Sequence, residues 1–201
     1  MPGAQGDVDL TSERIKAFSD GVLAIIITIM VLELKAPHGE DFADLAQVGP
    51  TFLAYVLSFL YVAIYWNNHH HLFSAVEKVN GAVLWANIHL LFWLSLLPFA
   101  SAWASDTHFA RIPVALYGCG LLASALAYSV LVIVLLRAQE SESLLHRAIG
   151  NDFKGKISIV LYVFGIFGAF FDPWIGGLFY VLVAAIWLIP DQRIEKQLKE
   201  A

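Results

Sequence analysis

A carboxylate stands inside the first long apolar stretch of this chain. The stretch reads ERIKAFSDGVLAIIITIMVLELKAP over residues 13–37, and Asp20 lies about two helical turns into it. An ionised carboxylate in hydrocarbon costs several kcal/mol unless it is paired or hydrated, so it is a candidate functional group by position alone. Two kinds of chemistry suit it: direct contact with a transported ion, or a hydrogen-bonded knot that fixes helix packing. The second apolar stretch ends in Tyr65-Trp66-Asn67-Asn68-His69-His70-His71. Imidazoles bind transition metals, but consecutive helical residues point about 100° apart, whereas histidines sharing a metal on a helix use i, i+3 or i+4 spacing. Nothing in the sequence supports recruiting His89 from the third stretch to such a site. The run is therefore read as a source of hydrogen bonds for Asp20, and neither a metal nor a cofactor is expected. The third stretch contributes Asn87, His89 and Ser95, which can bond across helices, and Pro98, which can kink its own.

These polar groups need membrane helices to position them. Of the 201 residues, 59% are hydrophobic and 14% charged, against roughly 45–50% and about 25% in soluble domains. The mean hydropathy is +0.69. The apolar runs are continuous and do not alternate, which predicts helices and argues against a barrel. Six runs are long enough to cross the hydrocarbon core, near residues 13–34, 50–72, 81–104, 109–136, 154–171 and 173–190. The fold class is all-α membrane protein, with residues 1–201 as one six-helix domain. Only Asp172 and Pro173 separate the last two runs, as a tight hairpin would. A short surface helix is expected around Glu140, Glu142, His146 and Arg147, and a polar helical tail over DQRIEKQLKEA. The amino-terminal MPGAQGDVDL lacks the basic region of a signal peptide, so the first run is expected to be retained. The net charge of −5 does not provide the basic face that nucleic acid requires, and the one cysteine, Cys119, cannot form an internal disulfide.

Orientation follows from the basic residues. With the amino terminus in the cytoplasm and six spans, both termini are cytoplasmic. Arg14, Lys16, Lys78, Arg137, Arg147, Lys154, Lys156, Arg193, Lys196 and Lys199 then lie inside, and only Lys35 and Arg111 outside. That asymmetry obeys the positive-inside rule and favours an even number of spans.

A helical wheel separates the faces of the first span. With Ile25 as origin, Ile29, Leu32, Val22 and Thr28 fall within about 60°, and Asp20 falls roughly 140° away. One face is thus aliphatic with a single hydroxyl. By pattern alone such a stripe is lipid contact or core packing. Arg14 falls on it near the cytoplasmic end.

Arg14-x-x-x-Phe18-Ser19-Asp20 at the head of the first helix, followed by Trp-Asn-Asn-His-His-His-Leu-Phe and by Asn87-x-His89-Leu-Leu-Phe with a later Leu-Pro-Phe, resembles the bacterial branch of the transmembrane protein 175 potassium channels. The likeness is specific over residues 13–100 and topological beyond. It implies that the first helix lines a central pore, that Ile25, Ile29 and Leu32 form the constriction, and that Thr28 is tied to selectivity. It implies further that Arg14, Phe18, Ser19 and Asp20 hold the first helix to its neighbours with Trp66, His70 and Asn87, which favours the knot for Asp20. Gly21 departs from the Ala common after the motif. A single six-helix repeat implies a homotetramer in a bacterial cytoplasmic membrane.

The activity so implied is moderately selective passage of potassium ions through a hydrophobic neck, not enzymatic catalysis. No Thr-Val-Gly-Tyr-Gly carbonyl filter is present, so selectivity would come from the cost of stripping water at an apolar ring. Glu33, near the outer end of the first helix, would concentrate cations at the pore mouth. The alternative is a proton-coupled secondary transporter using Asp20 and the second-helix histidines. It has against it the lack of an internal repeat and of a broken first helix. Further alternatives are a histidine-metal membrane enzyme and a non-conducting assembly subunit.

Overall fold

The computed structural model describes residues 5–76, 78–140, 143, 145 and 153–188, and side chains from Ser12 onward. Eight α-helices order these residues: α1 (Gln5–Leu32), α2 (Phe42–Ala46), α3 (Gly49–Ser74), α4 (Gly81–Ser95), α5 (Leu97–Asp106), α6 (Arg111–Ala138), α7 (Phe153–Phe171) and α8 (Pro173–Leu188). The surface helix expected around Glu142, His146 and Arg147, and the polar tail, lie outside the described residues.

Five apolar helical stretches are long enough to cross a membrane: Ser12–Leu32, Gly49–Ser74, Gly81–Asp106, Arg111–Ala138 and Phe153–Phe171. The sixth apolar run forms α8, a helix of 16 described residues, about 24 Å long at 1.5 Å per residue.

Local chemistry sets where each helix starts and breaks. Asn80 caps α4, its side chain accepting from Val83 N at 3.0 Å, as a preferred N-cap does. The third span breaks at Leu96, whose N–H turns back to Trp93 O at 3.2 Å. Pro98 follows in the first turn of α5. It has no N–H to give the preceding turn, so α4 cannot run into α5 without a break. Between α5 and α6 the chain reverses through His108 and Phe109 at φ 50° and 59°. Phe109 holds this left-handed turn with a 2.7 Å bond from its N–H to Ala104 O, and its ring meets that of Trp174 at 5.7 Å. Asp172 accepts from Trp174 N at 2.9 Å and so turns α7 directly into α8.

α6 is the hub, packing on α4, α5, α7 and α8, while α1 packs on α3, α4 and α5. Tyr61, Leu72, Phe73, Leu90, Leu94, Leu121, Leu131 and Leu135 are fully buried between the helices. α7 and α8 pack backbone to backbone, because small residues let them approach. A Cβ added at Gly176 would stand 2.8 Å from Ala169 Cβ and 2.9 Å from Gly165 O. With no hydrophobic force between helices in lipid, close backbone approach of this kind is what holds a pair together.

At the end of α3 and α6, the Gln139 amide grips the Lys78 backbone. Its Oε1 accepts from Lys78 N at 3.0 Å, and its Nε2 donates to Lys78 O at 2.7 Å. Lys78 Nζ also reaches Glu140 at 2.6 Å. That ammonium holds the exposed Glu140 carboxyl below its usual range.

Candidate functional site

The two faces of α1 differ in environment. Ile15, Ser19, Leu23, Ile26 and Met30 recur every three or four residues and are buried against α3, α4 and α5. The opposite side carries Phe18 at 59% exposure, Ile25 at 59%, Ile29 at 45% and Leu32 at 75%. Arg14 and Thr28 are exposed with them. The sequence-derived stripe is thus the side of α1 turned away from the rest of its own chain. Thr28 Oγ1 donates to Ile25 O at 2.8 Å. Its proton is spent within the helix, and its lone pairs remain on the exposed face.

The motif residues anchor α1 through two separate contacts. Asp20 accepts from Trp66 Nε1 at 2.9 Å. About 100° round the helix, the buried Ser19 Oγ accepts from Asn87 Nδ2 at 2.9 Å, and Asn87 Oδ1 meets His69 Nε2 at 2.8 Å. Because the Asn87 amide nitrogen is committed to Ser19, its oxygen is the acceptor, and His69 carries its proton on Nε2. The chain Ser19–Asn87–His69 therefore bonds α1, α4 and α3 in sequence.

The imidazole in this network is that of His69, not His70. Helical phase is the reason: Tyr65, His69 and Leu72 are spaced four and three apart and all face the interior, whereas His70 is turned about 100° away. His70 is exposed, 6.2 Å from the Trp66 ring and 5.8 Å from that of His71. His89 instead accepts from Trp93 Nε1 at 3.0 Å. No group of three His, Cys, Asp or Glu side chains gathers among the described residues.

Arg14 makes no ion pair with Asp20, since six residues along a helix put them on different sides. It lines a crevice of about 380 Å³ with Ile15, Phe18, Leu84, Asn87 and Ile88, between α1 and α4. Glu33 lies just past the end of α1, beside a crevice of about 10 Å³ that includes Thr51, Tyr55, Ser101 and Ser105. Gly21 has open space where a side chain would stand, so the departure from Ala loosens no contact within this chain.

Residues 14–98 match the family described as endosomal/lysosomal potassium channel TMEM175. A potassium channel of Chryseobacterium sp. (strain P1-3) is 61% identical over 191 residues, covering 95% of this chain and 100% of that protein. The chain belongs to the TMEM175 family. A potassium channel of Streptomyces collinus is 34% identical over 128 residues, 60% of this TMEM175-family chain and 62% of its relative. The crystal structure of a lysosomal potassium-selective channel TMEM175 homolog from Chamaesiphon minutus superposes with a TM-score of 0.76 at 26% identity, over 90% of this chain and 98% of that one.

Proposed function

We propose that this TMEM175-family chain is the subunit of a potassium-conducting membrane channel whose permeation path is bounded by the exposed face of α1. The observation that carries the reading is that face itself. Ile25, Ile29 and Leu32 are large, aliphatic and unpacked, while the other side of the same helix is bolted to three neighbours. One helix cannot enclose a pore, so copies must share it. Four copies around an axis, each with six spans and both termini cytoplasmic, fit the single repeat and the ten-to-two distribution of basic residues.

In that arrangement Ile25 and Ile29 form rings of branched side chains that water leaves readily. Ion passage then requires partial dehydration, and potassium sheds its shell at lower cost than sodium. Selectivity is accordingly moderate. Thr28 interrupts the apolar rings with one outward lone-pair acceptor per subunit, and Glu33 raises cation concentration at the outer mouth. Ser19, Asp20, Trp66, His69 and Asn87 position α1 and do not touch the ion. The transporter alternative would need Asp20 or the histidines in the path. Asp20 is bonded to Trp66 and His69 is buried with Asn87, so neither is poised as a carrier of coupled protons.

The test is ion flux into liposomes holding the purified protein, under matched potassium and sodium gradients. Potassium is expected to enter faster, and Ile25→Asn is expected to bring the two rates together by wetting the neck. Unchanged discrimination in that variant removes Ile25 from the path. Flux that runs only on a proton gradient would restore the transporter reading.

A further inference from the structure

A second site lies among α3, α6, α7 and α8, away from the exposed face of α1. It is a cavity of about 40 Å³. Tyr65 and Asn68 reach it from α3, Ser129 from α6, and Ser158 and Tyr162 from α7; aromatic rings, Ile64 and Ala125 supply apolar wall. Tyr65 is only 9% exposed, and its hydroxyl has no hydrogen-bond partner among the described residues. Asn68 Nδ2 donates to Ile64 O at 2.8 Å, which identifies the other amide atom as an oxygen, and that oxygen likewise has no described partner. The Ser129 and Ser158 hydroxyls donate to the Ala125 and Lys154 carbonyls at 2.9 and 2.7 Å, and Ser158 Oγ also accepts from Trp187 Nε1 at 2.9 Å, so Ser129 offers only lone pairs and Ser158 at most one.

Unpaired polar groups inside a membrane protein are costly, because no solvent water stands in for the missing partner. Here they share one cavity and define its occupant. Acceptors outnumber donors, so the occupant must donate hydrogen bonds, and an anion is unsuited. Among the described residues no carboxylate lines the space, so none of them gives a cation a counter-charge. A water needs about 10–15 Å³ by this measure, so the cavity holds about three, whereas a benzene-sized guest needs about 150 Å³.

We propose that this cavity binds small neutral hydroxyl compounds, either a cluster of about three waters or a short-chain alcohol of equal size, held between Tyr65 and Asn68 on α3 and the serines of α6 and α7. The occupant bridges the α7–α8 hairpin to the helix that anchors α1. The site is independent of the permeation path, so its test does not depend on conduction.

The first measurement is the Tm of the purified full-length protein in detergent, wild type against Tyr65→Phe, which removes a hydroxyl and no carbon. An occupied cavity loses a bond, and Tm falls by a few degrees. A dry cavity sheds an unsatisfied hydroxyl, and an unchanged or raised Tm overturns the proposal. Ala125→Leu fills the space from its apolar side and is expected to erase the Tyr65→Phe shift; a full shift in that background also overturns it. An experimental map with waters visible, with and without ethanol as probe, separates the sources. Discrete peaks near Tyr65 Oη and Asn68 Oδ1 that persist in ethanol assign water. Continuous density appearing in ethanol assigns the alcohol. An empty cavity in both conditions refutes the site.

Discussion

Asn87 is the side chain through which α1, α3 and α4 are joined, because its amide bonds Ser19 on one side and His69 on the other. Interhelical bonds in membranes average about 0.6 kcal/mol, but removing one that leaves a buried partner unpaired adds its desolvation cost. Asn87→Ala strands two such partners and is expected to cost about 1–3 kcal/mol, read as lowered Tm in detergent. Trp66→Phe loses one N–H bond to an exposed carboxylate and should cost less, under about 1 kcal/mol. A larger effect for Trp66→Phe than for Asn87→Ala would reverse this ranking. Asp20 and Asn87 stand out in the sequence as polar residues in apolar runs, whereas Ser19 and Trp66 are named only by the family resemblance. The adjacent histidines are not separable by sequence alone, since the run offers every phase. Tyr65 and Leu72, both buried and both in step with His69, held the missing phase information.

At the scale of elements, apolar run length located the spans, since membrane thickness and helical rise leave little freedom. The break at Leu96 was legible only as a kink at Pro98, because a proline does not say how far the chain will turn before it. The closeness of α7 and α8 was less legible still: glycines are scattered through the sequence, and only packing tells which of them face a backbone. Gly176→Ala is expected to destabilise the protein by about 1–3 kcal/mol, because its methyl group meets Ala169 and the Gly165 carbonyl. Gly177→Ala, with open space at its Cβ, should be neutral in the same unfolding assay. The clasp at the end of α6 makes a prediction in pH. Lys78 lowers the pKa of the Glu140 carboxyl, so the pair stabilises the folded state above the ordinary carboxylate range. That contribution fades as pH falls through the lowered value. The Tm difference between wild type and Glu140→Gln should be small, present at neutral pH and absent in acid; a difference that grows on acidification contradicts it.

For the whole molecule, the decisive surface is the one the single chain leaves uncovered. Lipid could coat the aliphatic side of α1, and so could copies of the same helix; the sequence pattern is the same for both, and only the family resemblance distinguishes them. Oxidative cross-linking separates them. In a Cys119→Ser background, which removes the exposed native thiol, Ile29→Cys is expected to give disulfide-linked dimers if α1 helices meet at an axis, and none if each faces lipid. A shared axis also has a genetic meaning. When every subunit contributes one side chain to the same ring, a defective allele spoils assemblies that are mostly wild type. At equal expression of wild-type and Ile25→Asn chains, only about one fourfold ring in sixteen would be free of the variant. Inheritance of the selectivity defect would therefore be dominant, and its dependence on gene dosage would count the subunits around the pore.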